Sequence, residues 1–267
     1  MDIIKRNFFR LLRSGALNEF EQLEPMSPFK WRKLFEMVKI QQLNQLVLKG
    51  IKNHTFDESA NIPQRLIDDL QYADEEMPVR KAAPRLSNRL LRRRLHKIQT
   101  NERHQIDASM VTVELLNIIV TNVNAILNYG ISLQGIATLG SFLRKKGDKV
   151  DFVKLEHWLE QLHLSRMAQL EGSVLIEVFE FVQDEIPFVK RVEPAAYRLT
   201  LRTLEHTEHD YAQEWNFRQS KSGFVQNNSA MLRKNIRRSV RYINYATLET
   251  SSNFFGNFLR SLSEIEE

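Results

Sequence analysis

Ser141 follows Gly140 and stands about ten residues ahead of Asp151 in the stretch TLGSFLRKKGDKVDFVKL, residues 138–155. A Gly-Ser turn can cradle a triphosphate with its amides, and alternating carboxylates on a following strand can hold magnesium for phosphoryl transfer. That chemistry needs a second carboxylate two residues after Asp151, and Val153 stands there. The surrounding spacing predicts a helix end at Lys145-Lys146-Gly147 and a helix start at Asp148 or Asp151, with Gly147 in a left-handed conformation. A second candidate is LEHTEHDYAQE, where His206 and His209 are three apart beside Glu205 and Asp210. Two imidazoles on one helix face could bind zinc if His157 or His163 supplied a third ligand. The expected reading is a solvated polar face. No Walker loop, Rossmann glycine fingerprint or nucleophile elbow occurs, and no cofactor is implied.

Basic residues form the more promising constellations. Arg89, Arg92, Arg93, Arg94 and Lys97 make one cluster, and Arg233, Lys234, Arg237, Arg238 and Arg241 make another, of which 234, 237, 238 and 241 share a helical face. Tyr242 and Tyr245 beside the second cluster could stack on bases or simply pack. Intramolecular pairing with Asp and Glu, or a solvated face, is the ordinary alternative. The first helix, with Ile3, Ile4, Phe8, Leu11 and Leu12 beside Lys5, Arg6, Arg10 and Arg13, could lie on an anionic membrane. Docking onto a helical bundle explains the same apolar face.

The elements that must position these residues are helical. The chain has 267 residues, 42% of them hydrophobic and 27% charged, a globular rather than disordered balance. Nine Gly and seven Pro are too few for the turns of an all-β fold. With no cysteine there can be no disulfide, thiolate-bound metal or cysteine nucleophile, which fits a reducing, cytoplasmic setting. The net charge of +5 permits contact with nucleic acid without requiring it. Apolar runs stay short, as in Ile118-Ile119-Val120, so no transmembrane segment is expected.

Along the chain, Ser27 and Pro28 open a helix whose apolar face runs from Trp31 to Val47, with Gly50 as its stop or bend. A helix restarts at Pro63, and Pro78 and Pro84 bracket a connector. A basic helix from Arg85 leads into the apolar VTVELLNIIVTNVNAILNYG, expected to be a buried central helix that Gly130 ends. The next helix contains Gly135 and Gly140, which point to close helix contact or a weak, bent segment. Further helices are predicted over 165–183, 195–219, 225–242 and 247–263. The fold class is therefore all-α: one irregular multi-helix bundle of about ten helices over 1–267 without substantial sheet, with a possible subdivision into 1–77 and 84–267.

NFFRLLRSGAL and WRKLFEMVKIQQLNQLVLKGI resemble the amino-terminal helices of the large uncharacterised nucleotidyltransferase family abundant in Bacteroidetes. The segment from ELLNIIV to LEQLHL is similar to that family's carboxy-terminal region, through Gly130, Ser132-Leu133-Gln134, Val150-Asp151 and Leu162-His163-Leu164. The resemblance implies a Lys-Gly strand and an Asp-x-Asp strand between the two regions. Lys49-Gly50 has no such partner here: Asp68-Asp69 and Asp74-Glu75-Glu76 are adjacent rather than alternating. No catalytic residue carries over. The sequence thus predicts a non-catalytic helical scaffold related to that family, acting through a protein partner or as a homo-oligomer. The alternatives are a nucleic-acid or polyanion-binding module using the arginine clusters, and a degenerate or active nucleotidyltransferase.

Overall fold

The computed structural model describes residues 2–57, 60–76, 84–102, 109–205 and 228–263. Among these the chain forms twelve α-helices and no strand, so the all-α expectation holds. In order they are α1 (Ile3–Leu17), α2 (Pro28–Ile40), α3 (Asn44–Asn53), α4 (Gln64–Glu76), α5 (Arg89–Glu102) and α6 (Ser109–Tyr129). There follow α7 (Leu133–Lys146), α8 (Phe152–Gln161), α9 (Ser165–Phe179), α10 (196–205), α11 (Asn228–Tyr242) and α12 (Thr247–Ser263).

The first helix packs inward rather than standing free. Phe8, Phe9, Leu11 and Leu12 are buried, and α1 lies against α3, α7 and α9. Gly50, read from sequence as a stop or bend, sits inside α3 and serves a different purpose. A Cβ at Gly50 would overlap the Leu11 carbonyl of α1, and one at Gly15 would overlap the Leu46 carbonyl of α3. The two glycines let the helix backbones touch. The break between α2 and α3 falls earlier, at Gln42, whose φ of 56° is left-handed. The Leu43 amide donates to the Val38 carbonyl there (3.1 Å), the Schellman pattern of a helix stop.

The apolar run of the sequence becomes α6, with Leu115, Leu116, Ile119, Val120, Val123 and Ile126 buried. By length and composition alone, its segment Met110–Tyr129 is long and apolar enough to cross a membrane, one candidate among the described residues and not a clear span. More than half of that segment is buried against the chain's own helices, as in a core helix. Gly130, at φ 101°, ends α6, and the Ser132 hydroxyl caps α7 by accepting from the Gly135 amide (3.2 Å). Helix α7 runs through both of its glycines: Gly135 faces Asn122, and Gly140 faces Leu175 and Phe181. Close contact is the reason for both. At its end Gly147 keeps a right-handed φ of −54° and enters a 3-10 turn, Gly147–Lys149, instead of adopting the left-handed cap expected there.

The basic helix starts later than Arg85. The Asn88 side chain caps α5 by accepting from the Leu90 and Leu91 amides (3.0 and 3.1 Å). The buried Glu249 carboxylate of α12 accepts from the Ser87 and Asn88 amides, which straps the start of α5 to α12. Helix α9 ends at Phe179, four residues short of the predicted 183, because Glu180 turns left-handed at φ 56°.

Candidate anion-binding site

The motif around Asp151 is structural. Gly140 and Ser141 lie within α7, and Asp151 caps α8, its Oδ1 accepting from the Lys154 amide (2.9 Å). The Asp151 amide itself donates to Thr112 Oγ1 (3.0 Å). Asp68 and Asp69 sit on α4. His206, His209 and Asp210 lie outside the described residues, while Glu205 pairs with Lys5 (3.1 Å). Among the described residues no group of three His, Asp or Glu side chains could hold a metal.

On α1 and α7 several cations are paired with carboxylates. Arg6 grips Glu24 with two parallel bonds (2.6 and 2.7 Å), and Arg10 reaches both Glu21 (2.6 Å) and Glu24 (2.9 Å). Arg13 binds Glu21 and Glu180. Hydrogen bonds from Arg6, aided by Arg10, hold the Glu24 carboxyl down at about 2. Burial alone would raise Glu21, but Arg13 and Arg10 outweigh it and leave that carboxyl below its ordinary value. Arg144 pairs with Glu19 and Glu185, and Lys146 with Glu114. These contacts account for α1 and α7 as docked structural helices.

The two basic clusters behave differently. Arg92 is turned back onto the Leu86 and Ser87 carbonyls (3.0 and 3.1 Å), and Arg94 donates to the Gln161 carbonyl at the end of α8 (2.8 Å). Arg238 donates to the Asn128 carbonyl near the end of α6. Both positions place a guanidinium at the negative end of a helix dipole, a favourable arrangement. Arg89, Arg93, Lys97 and Arg237 are exposed, and among the described residues they have no hydrogen-bond or ion-pair partner. Arg241 lies half-buried beside the Tyr242 hydroxyl. Arg233 and Lys234 belong to α11, but their side chains lie outside the described residues. Tyr242 is fully buried, and the Tyr245 hydroxyl contacts Glu193 (3.3 Å) under Arg166.

Both clusters are tied to α12. Glu249 holds the start of α5, while α11 packs on α12 and reaches Asn128, whose side chain also accepts from Asn253 and Asn257 (3.2 and 3.1 Å). Beside α5 the structure adds residues that the sequence did not single out. Arg94, Lys97, Ile98, Asn101 and Glu102 of α5 face His157, Trp158 and Gln161 of α8 across a cleft of about 640 Å³. Their spacing of i, i+3, i+4, i+7 and i+8 is a helical stripe and was visible in the sequence. Its facing wall on α8 was not. Compared with known families, curated proteins and solved structures, the chain matches none.

Proposed function

We propose that this chain is a non-catalytic helical binding protein that engages a polyanion, the backbone of a nucleic acid, through the exposed cations of α5 and α11. One observation carries the reading: Arg89, Arg93, Lys97 and Arg237 are exposed and uncompensated among the described residues, whereas Arg6, Arg10, Arg13, Arg144 and Lys146 are matched to carboxylates. Uncompensated Lys and Arg on a surface release counterions when they meet phosphates, which supplies binding without base recognition. A cysteine-free chain of this kind suits the cytoplasm. Its helices would descend from the accessory helices of the nucleotidyltransferase family that the sequence resembles, without the catalytic strands.

Binding of a 20-nucleotide RNA in a mobility-shift titration tests the reading. Replacing Arg89, Arg93, Lys97 and Arg237 by Gln removes four phosphate contacts and is expected to weaken binding at least about tenfold. Replacing the ion-paired Arg144 and Lys146 is expected to leave it within about twofold. Equal losses in the two sets, or no binding by the unaltered protein, would remove the proposal. A protein-interaction scaffold is the second reading, favoured by Ile236 and Val240 of α11 and Ile243 just past its end, which are exposed at helical spacing. It predicts a partner-bound or oligomeric form that Val240→Asp disrupts, read by sedimentation.

A further inference from the structure

We propose that the cleft between α5 and α8 holds one unpaired nucleotide, so that the nucleic acid this protein engages is single-stranded. This rests on the polyanion reading above and deepens it. The Arg94–Gln161 contact (2.8 Å) and the Glu102–Lys154 pair (2.7 Å) set the two helices antiparallel along the cleft. The lining is therefore ordered from end to end. At one end stand Arg94 and Lys97, a guanidinium anchored on a carbonyl and a free ammonium, suited to a phosphate. In the middle Ile98 and Trp158, both nearly buried, make an apolar floor, and the exposed His157 offers a ring face at the rim.

At the other end Asn101 presents an amide that can both donate and accept, and Glu102 is fixed by Lys154 Nζ. From Arg94 to Glu102 the helix rises about 12 Å, enough to lay a phosphate at one end and a base towards the other. His157 is itself held, because Gln161 Nε2 donates to its Nε2 (2.9 Å). The contact holds the ring in one orientation. A base stacks on such a fixed imidazole while an amide reads its edge. In a duplex the bases are stacked and paired, so only the phosphates could approach; the cleft selects for an unpaired strand.

The test measures fluorescence anisotropy of a labelled 12-nucleotide RNA, as single strand and as duplex, with AMP as competitor. The single strand is expected to bind at least about tenfold tighter than the duplex, the scale of one stacked base. His157→Ala and Asn101→Ala, both at exposed positions, are each expected to weaken the single strand several-fold and leave the duplex unchanged. Lys97→Gln should weaken both forms, and Lys145→Gln on α7 neither. AMP at millimolar concentration should displace the single strand in part. Equal affinity for strand and duplex, or single-strand binding indifferent to His157 and Asn101, would overturn the single-strand cleft while leaving the polyanion reading intact. Saturable AMP binding without strand binding would make the ligand a free nucleotide and overturn it too. Failure of every nucleic acid to bind would remove the parent reading as well.

Discussion

Glu171 is fully buried on α9, where it faces α6 and accepts from the Asn122 amide (3.0 Å), its other carboxyl oxygen having no partner. Burial pushes this carboxyl well above its ordinary value, and the single bond from Asn122 offsets little of that. The folded protein therefore favours the neutral acid. Because the folded value lies above the unfolded one, the resulting stability is fully present below about pH 4.5 and is lost as the pH rises towards the folded value. The denaturation midpoint in urea should fall as the pH rises above about 4.5, and Glu171→Gln, which keeps the shape and cannot ionise, should flatten that fall. Parallel curves for the two proteins would mean that Glu171 is not a neutral acid in the fold. Glu24 has the opposite sign: with its carboxyl held at about 2 by Arg6 and Arg10, its contribution is present above its ordinary value and disappears as the pH falls through the folded one. Nothing in the spacing of Glu171 distinguished it, since the group that meets it, Asn122, is 49 residues away.

Helix contact and helix ending set what an element can reveal of itself. The α1–α3 crossing depends on Gly15 and Gly50, so Gly50→Ala is expected to cost about 3 kcal/mol, because a backbone carbonyl cannot yield as a side chain can. Gly256, exposed on α12 with open space around it, should instead gain about 0.5–1 kcal/mol as alanine, since only helix propensity is at stake. Chemical denaturation of the two variants should separate them in sign. A similar argument applies to Asn88→Ala, which removes the cap of α5 and should cost about 1 kcal/mol. The cap at Asp151 and the break at Gly130 were legible because each uses a residue with a strong local preference. The stops at Gln42 and Glu180 were not. Each is left-handed at a residue with no such preference, imposed by the packing of the helices on either side, so the long α2–α3 segment read as a single helix. Gly50 misled for a related reason: from sequence a glycine at a helix end and one at a helix crossing look alike.

Over the whole molecule, charge is distributed unevenly. Between Glu214 and Glu249 the sequence contains no acidic residue but seven basic ones: Arg218, Lys221, Arg233, Lys234, Arg237, Arg238 and Arg241. Helix α11 falls in that interval, and α5 is linked to it through α12. By contrast, the residues that tie α1 to its surroundings are a lattice of Arg and Glu. Both clusters were recognisable in the sequence as basic runs, but which of their members remain available was not. Arg92 is turned back onto carbonyls just ahead of its own helix and Arg238 onto the end of α6, whereas Arg94, anchored on the Gln161 carbonyl, stays beside the cleft. The central claim, that the uncompensated cations bind phosphates, is tested most directly by measuring RNA affinity across salt concentrations from about 50 to 200 mM. If Arg89, Arg93, Lys97 and Arg237 each meet a phosphate, replacing all four by Gln should make the slope of log K against log salt less negative by about 3. A slope near zero, or one that the substitutions leave unchanged, would contradict the assignment.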